Sequence, residues 1–190
     1  MRGGEFRRLA EESLRHYGDA PYFFLRELAQ NSRDADSRNI WVAASRDGEE
    51  EVLTFEDDGR GMSFEVARSY LYRLYASSKE GDKGAAGRFG VGFWSVLRFS
   101  PVLVRVESRS EEGAWGVELD SGFESSEVEP LLSHRGTCVI LRRRAQFGDE
   151  GAYVEDVLAG LRRTCGHLRT RRGHGRVLPV WFNGGRFPGR

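Results

Sequence analysis

Three short stretches of the chain carry residues that can do chemistry together. The first is Arg26-Glu27-Leu28-Ala29-Gln30-Asn31-Ser32-Arg33-Asp34-Ala35. On a helix successive residues turn by about 100°, which brings Glu27, Asn31 and Asp34 within about 60° of one another. An amide in such a stripe can offer an oxygen to a hard cation such as magnesium. A carboxylate one turn away can orient or deprotonate a water. An ordinary solvated helix face has the same composition. The second stretch is Val52-Leu53-Thr54-Phe55-Glu56-Asp57-Asp58-Gly59-Arg60-Gly61-Met62. Strand alternation puts Leu53, Phe55 and Asp57 on one apolar face. Asp57 is then a buried carboxylate that needs a hydrogen-bond donor. The exocyclic amine of adenine is one such donor; the other reading is a turn in which the carboxylate caps its own backbone. Gly59 and Gly61 would let backbone come close to a flat ring. The third stretch is Gly87-Arg88-Phe89-Gly90-Val91-Gly92-Phe93-Trp94-Ser95. Glycines at a helix start free backbone N–H groups for an anion. The order Gly-x-x-Gly-x-Gly is not the dinucleotide fingerprint, and the chain has no P-loop pattern. Lys79 and Lys83, the only two lysines, lie just upstream and can bring point charges to phosphates.

These stretches need elements to hold them. A charged helix is expected over residues 5–17. A second is expected over 22–36, with Pro21 in its first turn, Asp19 as a cap, and Leu25, Leu28, Ala29 and Ser32 as its apolar stripe. Arg38–Ala44 and Glu51–Asp57 read as strands joined by Arg46-Asp47-Gly48. Ser63 can cap a helix carrying Phe64, Ala67, Leu71 and Leu74. Residues 76–90 read as a loop and Val91–Arg98 as a helix. Pro101–Ser108, Ala114–Leu119 and Gly136–Arg143 read as strands, Tyr153–Thr164 as a helix, and Val177–Phe182 as a strand ending at the hairpin signal Asn183-Gly184. Strands and helices mix without the regular alternation of a doubly wound parallel sheet, so the class is α+β.

Composition bounds the rest. The 190 residues are 39% hydrophobic and 31% charged, with a mean hydropathy of -0.53. A chain of this length buries about 70% of its unfolded surface and folds without disulfides. No apolar run approaches the roughly 18 residues of a spanning helix, so no membrane role is expected. A charged N-terminus and two cysteines, Cys138 and Cys165, point to a reducing, cytoplasmic setting. The net charge of +0 is unevenly distributed. Residues 135–190 hold 12 arginines and 4 acids, leaving residues 1–134 with the opposite excess. That end can face phosphates or an acidic partner, or form a solvated face. Cys165, His167 and His174 match no common zinc spacing.

In order and spacing the three stretches resemble the GHKL superfamily of ATPases, from about Phe23 to Leu141. Phe24-Leu25-Arg26-Glu27-Leu28 with Asn31 and Asp34-Ala35 looks like the first family motif. Asp57-Asp58-Gly59-Arg60-Gly61-Met62 looks like the adenine motif, and Gly87 to Ser95 like the phosphate loop. Gly136-Thr137, opening a strand, resembles the Gly-Thr that completes the adenine pocket. The wording is closest to the ninety-kilodalton heat-shock chaperones. The short Ser77-Ser78-Lys79 loop is nearer to the MutL and MORC branches.

The resemblance implies a Bergerat fold: a two-layer α/β sandwich with a mixed, mostly antiparallel sheet covered by helices on one face. Residues 1–190 would form one ATP-binding domain, the N-terminal piece of a longer protein. It implies ATP or ADP with Mg2+ as ligands, Glu27 as general base, Asn31 as magnesium ligand and Asp57 on adenine with help from Thr137. The amides of Gly87, Arg88, Phe89, Gly90, Val91 and Gly92 would hold phosphates. Asp34, Gly59, Gly61, Met62, Lys79 and Phe93 would complete the nucleotide contacts. ATP would close a lid and gate homodimerisation or engagement of a client protein in a chaperone-like machine. Because a second domain would complete the site, residues 1–190 alone are expected to hydrolyse ATP slowly and to be mainly monomeric. An ATP-gated nucleic-acid effector of the MutL or MORC type is the alternative, carried by Arg142-Arg143-Arg144 and the arginines from Arg169 to Arg176. A histidine-kinase-type phosphotransferase fits poorly, because no helical hairpin can precede the early His16.

Overall fold

The computed structural model describes residues 22–71, 92–122, 124–165 and 178–186. Helix α1 (Phe23–Asp34) is followed by strands β1 (Ile40–Asp47) and β2 (Glu50–Asp57), then helix α2 (Phe64–Leu71). A 3-10 helix (Phe93–Phe99) precedes strands β3 (Leu103–Ser110), β4 (Gly113–Asp120), β5 (Ser125–Val128) and β6 (Gly136–Arg144). Helix α3 (Glu150–Cys165) and the short strands β7 (Val180–Phe182) and β8 (Gly185–Arg186) complete the described elements.

The strands form one sheet in the order β5-β4-β3-β6-β2-β1-β7-β8. Among the described residues only the β1–β7 pairing is parallel. The α+β expectation and the mixed, mostly antiparallel sheet are therefore both met. Alternation decides which face the helices cover. Glu51, Leu53, Phe55 and Asp57 of β2 are buried, and the residues between them are only half-buried. Cross-strand register turns that face into rows. Val117, Val106, Val139, Phe55 and Val42 form one apolar row, and Leu119, Val104, Leu141, Leu53 and Ala44 the next. A polar row closes each end. Trp115, Ser108, Thr137, Asp57 and Ile40 stand in register at one end, and Arg143, Glu51 and Arg46 at the other.

The helices pack on these rows. Leu25, Leu28, Ala29 and Ser32 of α1 are buried, the stripe expected from the sequence, and Phe24 is buried beside them. Tyr153, Val157 and Leu161 of α3 and Trp94, Val96 and Phe99 of the 3-10 helix join them in one core.

Several boundaries differ from the sequence reading. Of the stretch expected as a helix over Val91–Arg98, Val91 lies outside the described residues and Phe93–Phe99 is a 3-10 helix. Strand β5 was not expected: its residues Ser125, Ser126 and Glu127 are exposed, so no apolar alternation marks it. Helix α3 starts three residues early, and β7 is Val180–Phe182, the expected start Val177 lying outside the described residues. Ser63 does cap α2, its Oγ accepting from the Val66 amide at 3.4 Å. The expected helix at 5–17, the cap Asp19, Pro21 and the 76–90 loop lie outside the described residues.

Candidate functional site

A cavity of about 530 Å³ opens at the row that contains Asp57. Its walls come from α1, from the loop after β2 with α2, and from the ends of β3, β4 and β6. Leu28, Asn31, Asp34, Asp57, Met62 and Thr137 are among the lining residues.

Asp57 sits on the floor and is 6% exposed. The sequence reading leaves two donors open, adenine's amine or the carboxylate's own backbone; the backbone bond is present, and two hydroxyls join it. Ser32 Oγ donates to Oδ2 at 2.7 Å, Ser37 Oγ to Oδ1 at 3.2 Å, and the Gly59 amide to Oδ1 at 2.8 Å. All three donors are neutral. Burial pushes its pKa above the ordinary carboxylate range, and the hydrogen bonds from Ser32, Gly59 and Ser37 only partly oppose that shift. A carboxylate has about four acceptor positions, so one remains.

Thr137 stands beside Asp57 in the β2–β6 register. Its Oγ1 lies 3.0 Å from Ser108 Oγ. Ser108 is fully buried, accepts from the Met62 amide at 3.0 Å and donates to the Gly136 carbonyl at 2.8 Å. Trp115 Nε1 donates to the Met62 carbonyl at 2.9 Å. Met62 is thereby fixed through both of its backbone groups.

The glycines serve the wall more than the opening. A Cβ on Gly59 would meet Ser37 Oγ at 2.7 Å and Asp57 Oδ1 at 2.9 Å, so Gly59 backs the carboxylate and does not line the cavity. Gly61 does line it, but a Cβ there would meet the Arg109 carbonyl at 2.1 Å, away from any ring. Gly136, with φ +151, lets β6 start against the Asp57 carbonyl, where a Cβ would sit at 1.9 Å. The close approach expected of Gly59 and Gly61 is thus made to protein.

The stripe on α1 is organised differently. Asn31 is exposed, and Glu27 and Asp34 are half-buried. Asp34 takes Arg33 at 3.3 Å. Arg60 reaches back from the β2–α2 loop, donating to the Asp34 carbonyl at 2.8 Å. Glu27 does not line the cavity; it lies over Gly92, where a Cβ would meet its Oε2 at 2.6 Å. Burial raises the Glu27 pKa and Arg26 lowers it, with burial the larger influence. Phe93 lines the cavity from the start of the 3-10 helix. Lys79, Gly87, Arg88, Phe89, Gly90 and Val91 lie outside the described residues.

Two other groups named in the sequence take defined surroundings. In Arg142-Arg143-Arg144 the first two side chains are taken up within the fold, and Arg144 is exposed. Arg142 pairs with Asp47 at 2.9 Å and Glu50 at 3.2 Å, while Arg143 is buried against Glu51 at 2.8 Å. Cys165 is 4% exposed, and burial pushes its thiol up to about 11, which disfavours the thiolate that zinc requires. His167 and His174 lie outside the described residues.

Sequence reasoning passed over Ser32, Ser37, Ser108 and Trp115 as parts of this site. A signal existed for Ser32: it occupies an apolar stripe position, and a hydroxyl there must find a partner.

Residues 22–137 match the family described as histidine kinase-, DNA gyrase B-, and HSP90-like ATPase. Among curated proteins, the chain is similar to chaperone protein HtpG of Chlorobium phaeobacteroides, 32% identical over 188 residues, which is 81% of this chain and 30% of that protein. It is 33% identical over 171 residues to HtpG of Chlorobium phaeovibrioides, covering 73% of this chain and 27% of that protein. HtpG of Colwellia psychrerythraea is 28% identical over 165 residues, covering 70% of this chain and 24% of that protein. The chain therefore spans less than a third of the length of these relatives.

Proposed function

Because this chain belongs to the histidine kinase-, DNA gyrase B-, and HSP90-like ATPase family, we propose that its cavity binds ATP through adenine on Asp57 and that Glu27 activates the water that cleaves it. The carrying observation is Asp57 itself: a buried carboxylate on a cavity floor, held by three neutral donors. Its remaining acceptor position suits an amine N–H, and the Thr137 oxygen stands beside it.

The phosphates extend toward Gly92, Phe93 and the α1 stripe. Gly87, Arg88, Phe89, Gly90 and Val91 supply amides to them, and Lys79 a charge. Among the described residues no three His, Cys, Asp or Glu side chains cluster to hold a metal. Asn31 offers a single oxygen from an exposed position on the cavity wall. That donor set fits magnesium, which keeps several waters and binds through one or two protein groups plus phosphates. Bound there, the ion would neutralise charge on the phosphates. Glu27, one turn before Asn31, takes the proton of the attacking water. Its raised pKa means it is protonated, and inactive as a base, at higher pH than an ordinary glutamate.

In the whole protein, nucleotide binding gates pairing of two copies or engagement of a client, a role supported by similarity to proteins named as chaperones. No helix among the described residues is long and apolar enough to cross a membrane. Of the arginines that carry the nucleic-acid alternative, Arg142 and Arg143 are paired within the fold, Arg144 is exposed, and those from Arg169 to Arg176 lie outside the described residues.

Calorimetry with ADP and ATP, with and without magnesium, tests the binding. Glu27→Ala tests the chemistry: it should keep nucleotide affinity and lose turnover by about 10²–10⁴-fold, the range for a lost general base. Equal turnover in Glu27→Ala and the parent would remove Glu27 from the mechanism.

A further inference from the structure

We propose that Ser108 determines which purine the cavity accepts, by fixing the direction of the Thr137 hydroxyl; this rests on the ATP reading above. Ser108 does not line the cavity and is fully buried behind it. Its oxygen has three polar neighbours: the Met62 amide at 3.0 Å, the Gly136 carbonyl at 2.8 Å and Thr137 Oγ1 at 3.0 Å.

Proton counting resolves their directions. An amide nitrogen can only donate and a carbonyl oxygen can only accept. Ser108 owns one proton, and only the Gly136 carbonyl requires it. The third contact is then a hydrogen bond only if Thr137 donates to Ser108. That assignment alone makes all three contacts hydrogen bonds. It turns the Thr137 proton away from the cavity and leaves its lone pairs facing in.

Asp57 stands next to Thr137 across the β2–β6 pairing. Ionised, it can only accept. The floor therefore presents two adjacent acceptors and no donor. A 6-amino purine brings two N–H groups to that floor. A 6-oxo purine brings an oxygen to the same place, and acceptor then faces acceptor in a buried setting. With Asp57 ionised, the Thr137 hydroxyl is the floor group that could turn a donor toward the oxygen, and Ser108 prevents it. Ser108 is thus a positioning residue for base selection.

The test is the ratio of affinities for ADP and inosine diphosphate, measured by calorimetry on the parent, Ser108→Ala and Ser108→Thr. The parent should prefer ADP by at least about 30-fold, the effect of one mispaired buried group. In Ser108→Ala the Thr137 proton is free to turn inward, and the preference should shrink by about tenfold. Ser108→Thr keeps the hydroxyl and should keep the parent ratio. Ser108→Cys, a weaker partner, should relax the ratio in part and serves if Ser108→Ala does not fold. A fall in both affinities with an unchanged ratio would mean that Ser108 only supports the fold, and would overturn the proposal. A parent that binds ADP and inosine diphosphate equally also overturns it while leaving the ATP reading standing. A parent that binds neither overturns both.

Discussion

Two buried carboxylates stand on the same face of β2, and they have opposite surroundings. Glu51 is fully buried at one end of the sheet. Its Oε2 takes Arg143 Nε at 2.8 Å, and its Oε1 takes the amides of Gln146 and Phe147 at 2.9 Å each. The Arg143 guanidinium lies 4.2 Å from the centre of the Phe99 ring. Charge meets charge, and aromatic side chains seal the pair. Asp57, at the other end, is held by two hydroxyls and one amide, with a cavity in front. A buried carboxylate matched by a cation has its charge compensated in place. One held by neutral donors keeps an unfavourable charge and an unused acceptor position, and both are relieved by a ligand that donates. The fold locks itself at Glu51 and remains receptive at Asp57.

The comparison predicts unequal consequences for equivalent substitutions. Glu51→Gln leaves the buried Arg143 without its counter-charge. It should lower stability by about 3–5 kcal/mol, the range for breaking a buried pair on one side. Denaturant unfolding measures this, and ADP affinity measured well below the melting temperature should hardly change. A fully stable Glu51→Gln would erase the distinction between the two ends.

Asp57→Asn should do the reverse. It removes a charge that burial disfavours, so its effect on stability should be smaller than that of Glu51→Gln. ADP affinity should fall by roughly 30-fold or more, equivalent to about 2–3 kcal/mol from the lost charge-assisted bond and a donor turned toward the ligand amine. Undiminished ADP binding by this variant would take Asp57 out of the nucleotide site.

The smallest effect is a pH dependence. In the free protein the Asp57 pKa lies above the ordinary range because of burial. A donating ligand stabilises the ionised form and lowers that pKa. Between the two values the free protein holds more protons than the complex, so affinity rises with pH and weakens on acidification. The slope is at most about tenfold per pH unit for one proton. For folding the sign also follows from the raised value. The native state binds the proton more tightly than the unfolded chain, so this contribution favours folding at low pH and is lost as pH rises through the raised pKa. Asp57→Asn should flatten both dependences, as calorimetry and denaturation across a pH series would measure. Persistence of the same slopes in Asp57→Asn would assign them to another group.

Much of this was legible in the chain itself. The 3.6-residue spacing of Leu25, Leu28, Ala29 and Ser32 fixed which face of α1 is buried, because helix periodicity depends only on near neighbours. The alternation of β2 placed Leu53, Phe55 and Asp57 together for the same reason. Motif order and spacing pointed to the family before any coordinate. The short edge strand β5 was invisible because its exposed serines leave no alternation. Tertiary structure decided the rest. It brought Ser32 to Asp57 from 25 residues away and set Ser108, Thr137 and Asp57 in one row across three strands. It also buried Arg143, which in sequence belongs to a basic run, against Glu51. Local pattern states which way a side chain faces, whereas strand register states whom it meets. Register is fixed by packing of the whole sheet and not by neighbours along the chain.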